Sequence, residues 1–302
     1  MRDTLGHCLI VATAMLMLST PCHADGFSMG VGSDYSSGDY GGTDRTTIFG
    51  VPIHAKYTSG PVTLKVIVPW IRVSGTGVVI PTGLGGIGGA GGEAGGASGG
   101  GGGTTGAFGC AADTRGGAPR PEDNGPCATT PAAGGATTAA VRRTEQGLGD
   151  VVAAATYNAI NSNGLLLDVT GKIKLGTASE ARRLGSGKTD YALQLEAEQT
   201  VGKAYVIGGV GYKWLGEPAG VSLRNVWYGV VGGGIKLTPD TTAGISYDYA
   251  DAANSSGRQL QELSFYLSQR LSGHVRLNGY IFKGLTNGGP DWGAGAGLSY
   301  AF

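Results

Sequence analysis

The sequence predicts an all-β chain: a transmembrane antiparallel up-and-down β-barrel of about 12 strands with a long Gly-rich extracellular loop. Three observations predict it. Segments of about ten residues alternate apolar and polar side chains between turn residues. The connections between them are short and long in alternation, the layout of an outer-membrane barrel. Glycine supplies 59 of 302 residues, about 20 % against roughly 7 % in an average protein. No G-x-y period accompanies it, which excludes collagen. A hydrophobic content of 41 % excludes a wholly disordered chain. The 22 basic residues balance 22 acidic ones, and no basic stripe points to a nucleic-acid partner.

Residues 1–24 read as a secretory signal: Arg2, then an uncharged apolar run from Cys8 to Leu18, then Cys22 and Ala24 at positions −3 and −1 of a cleavage site. The run is too short to span a bilayer as a helix. Cleavage leaves Cys110 and Cys127, which an oxidising exported compartment predicts to join as a disulfide. A metal site would need more ligands than His54 and His274 supply, and no cofactor is expected. The mature chain, 25–302, is then one barrel, interrupted at 75–143 by a low-complexity insertion between its third and fourth strands. Residues 75–135 hold 23 of the glycines. The match Gly83-x-Gly85-x-x-Gly88 in this tract follows from composition, because no helical pattern comes after it.

Three alternating segments precede the tract: Phe27–Tyr35, Thr46–Tyr57 and Val62–Val73. Pro52 and Pro69 fit poorly inside strands. Nine follow it, beginning with Asp150–Ile160. Leu165–Leu175 is the clearest: Leu165, Leu167, Val169, Ile173 and Leu175 share one face, and Asp168, Thr170, Lys172 and Lys174 share the other. The next strand sets Tyr191, Leu193, Leu195 and Val201 against Gln194, Glu196, Glu198 and Thr200. A turn about Gly185 would pair Lys174 with Glu196 and Lys172 with Glu198. Ala204–Trp214, Val226–Leu237, Thr242–Asp251, Gln261–Leu271, His274–Leu285 and Trp292–Phe302 continue the pattern. Lys283 breaks parity in the fifth of these, which predicts a bulge or strand end there. Tight turns are expected at 59–61, 161–164, 202–203, 239–240 and 272–273, with both termini on that side.

Alternation alone fits a soluble β-sandwich or lipocalin-like barrel as well. The membrane reading rests on charges and glycines sharing the polar face, on aromatics at strand ends (Tyr35, Tyr57, Tyr157, Tyr191, Trp214, Trp227, Trp292, Tyr300), and on a chain that ends in its last strand. With polar faces inward, the lumen is expected to carry Lys56, Lys65, Lys172, Lys174, Lys213, Lys236, Arg270 and Arg276 with Asp34, Asp168, Glu196, Glu198, Asp248 and Glu262. Such charges filter solutes, or satisfy one another and fill space. Inward glycines at 209, 211, 232, 234, 293, 295 and 297 are expected to leave room on one wall.

The ending Gly297-Leu298-Ser299-Tyr300-Ala301-Phe302 resembles the terminal signal of bacterial outer-membrane barrels, with Leu298, Tyr300 and Phe302 at its alternate positions. The resemblance implies insertion by the barrel-assembly machinery. Gly147-Leu148-Gly149-Asp150, Lys172-Ile173-Lys174-Leu175-Gly176-Thr177 and Leu184-Gly185-Ser186-Gly187-Lys188-Thr189-Asp190 resemble the outer-membrane channel family associated with the meta-pathway of phenol degradation, itself distantly similar to long-chain fatty-acid channels. Leu175 stands where that family has proline, and the 75–143 insertion lies outside the pattern. The resemblance implies a passive channel for small aromatic or hydrophobic molecules in a Gram-negative outer membrane, reached by Sec-type export. The alternative is a structural or adhesive protein acting through the Gly-rich loop. An enzyme is not expected: His274 borders a tight turn on the periplasmic side, away from outer-leaflet lipid, and His54 has no obvious Ser partner. The insertion is read either as an exposed loop or as a plug.

Overall fold

The computed structural model describes residues 26–40, 44–75, 143–218, 223–253 and 258–302, with the backbone alone of 79–81 and 107–109. The expected signal peptide, most of the glycine tract, and Cys110 and Cys127 lie outside the described residues. Among the described residues fifteen strands form: β1 (Phe27–Gly38), β2 (Thr46–Ser59), β3 (Val62–Gly75), β4 (Val79–Pro81), β5 (Ala107–Gly109), β6 (Arg143–Leu148), β7 (Val151–Ser162), β8 (Leu165–Leu175), β9 (Asp190–Val201), β10 (Ala204–Trp214), β11 (Val226–Lys236), β12 (Thr241–Ala250), β13 (Leu260–Arg270), β14 (Val275–Gly284) and β15 (Trp292–Ala301).

Twelve of them close a ring. The order runs β2-β1-β15-β14 and on down to β8-β7-β3, and a further β2–β3 pairing joins the ends. Every ladder is antiparallel, and within the ring each joins chain neighbours except β3 with β7 across the insertion and β1 with β15 across the closure. A closed ring leaves no free edge, which lets glycine-rich strands keep their hydrogen bonds. Among the described residues β4 and β5 pair with each other, apart from the ring. Among the described residues the chain forms no helix.

The periodicity fixes the two faces of the wall. Large apolar residues such as Val31, Ile53, Leu195, Val206, Leu267 and Leu298 are exposed on the outside, while Asp34, Asp168, Thr170, Gln194, Ser246 and Ser264 are buried inside. The eight strand-end aromatics all lie on the exposed face. The short turns share one rim with both ends of the barrel: Phe302 N–H donates to the Phe27 carbonyl at 3.0 Å, and their rings are 5.3 Å apart. At the β7–β8 turn Asn163 and Gly164 both take positive φ, 54° and 79°, the geometry that an Asn-Gly hairpin favours.

Pro52 and Pro69 stand directly opposite each other in β2 and β3. Lacking N–H groups, they interrupt the neighbouring ladders instead. The β1–β2 pairing skips from Val31↔Ile53 to Asp34↔Gly50, and at Pro69 β3 exchanges one partner for another. Below that point it pairs with β7, and above it with β6, a strand that the alternation did not predict. Of the two outcomes expected at Lys283, a bulge or a strand end, the second occurs: β14 stays in register there with Trp292 and ends one residue later, at Gly284. Lys283 faces outward, where a long side chain at a strand end can reach the interface. The one register shift in the ladders falls in β7, between Asn158 and Ile160.

Candidate functional site

The barrel interior is the candidate site, and its walls follow a simple rule from β10 to β15. Each inward aromatic lies over the glycine directly opposite it: Tyr205 over Gly234, Tyr228 over Gly211, Tyr266 over Gly244, Tyr280 over Gly295 and Phe282 over Gly293. A Cβ at any of these glycines would enter the ring. Glycine here makes space for a neighbouring side chain. The expectation that Gly211, Gly234, Gly293 and Gly295 would leave the wall open is therefore corrected: rings occupy that space. Tyr205 and Tyr266 also join hydroxyl to hydroxyl at 2.6 Å.

The charged residues fall on the inward face, and their register is informative. Lys56 lies opposite Lys65, Arg270 opposite Arg276, Asp168 opposite Glu196, and Asp248 opposite Glu262. Asp168 accepts a hydrogen bond from Asn158 Nδ2 at 2.6 Å, Glu196 from Gln194 Nε2 at 3.1 Å and Glu198 from the Thr200 hydroxyl at 3.2 Å. Asp248 accepts from Ser246 at 3.1 Å, and Asp34 from Tyr280 at 2.5 Å. Arg276 donates to the Ser268 hydroxyl at 3.1 Å. Arg270, at the short-turn rim, is 3.9 Å from Asp240. The Lys213 ammonium sits 4.5 Å over the Tyr228 ring, a cation–π contact. Lys172 is on the inward face of β8, and Lys236 closes β11 at the short-turn rim.

Lys174 differs from the rest. It is fully buried, 3.0 Å from Asp150 Oδ2 and 2.7 Å from Asp190 Oδ2, and it donates to the Ser186 hydroxyl at 2.8 Å. The expected pairs Lys174–Glu196 and Lys172–Glu198 do not form. The ladder sets Lys174 against Asp190, Lys172 against Ala192 and Asp168 against Glu196. Strand periodicity specifies a face but not an offset, and here the offset is set by the loop 176–189 folding onto Asp150. Sequence reasoning missed Asp150, Ser186 and Asp190 as site residues. They lay within the motifs that carry the family resemblance.

Above Lys174 the interior turns apolar. Ile71 packs with Ala178 and Leu184, Tyr40 with Ile48, and Val73 touches both clusters. Tyr40 also hydrogen-bonds Ser36 at 2.8 Å. At the long-loop rim, Arg224, Asp251, Arg258, Gln259 and Asn287 line a cleft of about 760 Å³. Leu298, Tyr300 and Phe302 lie on the exposed outer face and take no part in the interior.

A closed antiparallel ring of twelve strands, greasy outside and polar within, has the fold of outer-membrane barrels. Solved structures agree. The COG4313 outer membrane channel from Pseudomonas putida F1 superposes with a TM-score of 0.61 at 13 % identity, over 92 % of this chain and 95 % of that one. The NanC porin gives 0.50 at 9 %, over 90 % and 98 %. The KdgM porin gives 0.49 at 10 %, over 91 % and 99 %. No protein-family model matches the chain, and no curated protein matches its sequence.

Proposed function

We propose that this chain is a passive outer-membrane channel and that its inward charges line the path of small solutes. The like-charged pairs carry this reading. Like charges directly opposite on a sheet repel, so an interior built only for stability would set unlike charges side by side. Four such like pairs face inward, and no ladder sets two of the expected lumen residues of unlike charge directly opposite each other; the unlike partner of Lys174 is Asp190, which lay outside that expectation. Charge segregated in this way costs stability and creates fields that act on a passing solute. The likeness in fold to channels and porins supports the same reading.

The resemblance of the 147–150, 172–177 and 184–190 motifs to the phenol meta-pathway channels supports small aromatic molecules as solutes. The ring-lined arc from β10 to β15, beside carboxylates and ammonium groups, suits a molecule that is part aromatic and part polar. A leader at 1–24 would direct Sec-type export, the pattern Leu298, Tyr300 and Phe302 supports insertion by the barrel-assembly machinery, and a Cys110–Cys127 disulfide would brace the Gly-rich loop. Solute flux into proteoliposomes tests the channel. Folded protein should admit small aromatic acids faster than empty liposomes do, and equal rates would overturn the reading.

A further inference from the structure

The loop 176–189 folds into the barrel end, and its attachment is of an unusual kind. Inward side chains of the wall hold it, together with backbone groups: the Val151 N–H donates to the Thr177 hydroxyl at 2.9 Å, and Arg182 donates to the Gln146 carbonyl at 3.2 Å. Leu184 is buried on the inward side chain of Ile71. The carboxylate of Asp150 accepts the Ala178 N–H at 2.9 Å, and that of Asp190 accepts the Gly216 N–H at 2.8 Å. Between them the Lys174 ammonium joins both acids and the Ser186 hydroxyl. Asp150 Oδ2 accepts no hydrogen bond and is met only by that ammonium. Close packing completes the attachment: a Cβ at Gly176 would strike the Gly187 backbone, and one at Gly185 would lie 2.6 Å from Asp150 Oδ2. One lysine thus ties together the starts of β7 and β9, the end of β8 and two loops.

Such a cluster is poor value as stability alone. Removing three charges from water costs several kcal/mol per ion, and apolar residues of similar volume fill the same space as well or better. What a buried ionic cluster does supply is a unique position. The exposed tip of the loop, 180–183, belongs to the connection between β8 and β9, which are followed in the ring by β7 and β3.

We propose that the loop 176–189 is the fixed constriction of the channel and that Lys174 is the positioning residue that sets its size limit. The proposal rests on the channel reading above. It is tested by single-channel conductance and by exclusion of graded polyethylene glycols, on wild-type protein, Lys174→Met and Leu184→Ser, each checked for folding by heat-modifiability on gels. The folded variants should conduct about twofold or more above wild type, since conductance follows the open cross-section, and should admit larger polymers. A conducting wild type matched by folded variants overturns the constriction and leaves the channel reading standing. A silent wild type beside a conducting variant supports the constriction, and silence of all three overturns the channel reading and the constriction with it. Should Lys174→Met fail to insert, Leu184→Ser and deletion of 179–183 decide the matter, because neither touches the buried charges.

Discussion

A glycine opposite a ring is the repeating unit of the interior from β10 to β15, and it makes a sharp prediction at the scale of one methyl group. Gly211 lies beneath Tyr228, whereas Gly208, three residues earlier in the same strand, faces outward with nothing within 4 Å of an added Cβ. Gly211→Ala should destabilise the barrel by about 1–3 kcal/mol through overpacking. Gly208→Ala should be neutral or slightly stabilising, because it removes only backbone freedom. Urea unfolding in lipid vesicles measures both. Little of this was legible in the sequence. The inward parity of Gly211 and Tyr228 could be read, but that one fills the space left by the other depends on a cross-strand register that no single strand encodes.

At the scale of the element, alternation located all twelve barrel strands. It stopped at the hairpin β8–β9. There the 14-residue connection 176–189 has its own buried structure, and the pairing offset follows from Lys174 meeting Asp150 and Asp190. Likewise β6 was hidden, because its register is inherited from β3 after the break at Pro69. Breaking the buried cluster should be costly: Lys174→Met leaves two carboxylates without their cation and should lose about 3–5 kcal/mol, while Asp150→Asn, Lys174→Met and Asp190→Asn combined should recover most of it. The same vesicle unfolding measurement checks the pair, and an equal loss in both proteins would show that packing and not charge holds the loop.

For the whole molecule, the belt of exposed Val, Leu and Ile side chains is the strongest physical statement that lipid surrounds the wall, since a water-soluble monomer rarely exposes so large an apolar surface. Leu195→Arg, mid-way along β9 on the outer face, should therefore cost about 2–4 kcal/mol in a bilayer. The inside-polar orientation was legible from glycine, charge and aromatic placement together. The segregation of like charges was not, because it too is a matter of register. That segregation is the central claim, and ion selectivity in planar bilayers tests it most directly. Reversal potentials across a salt gradient should move toward cations when Lys56 and Lys65 are both replaced by Gln, and toward anions when Asp248→Asn and Glu262→Gln are combined. Folded variants whose reversal potentials match that of the wild type would contradict it.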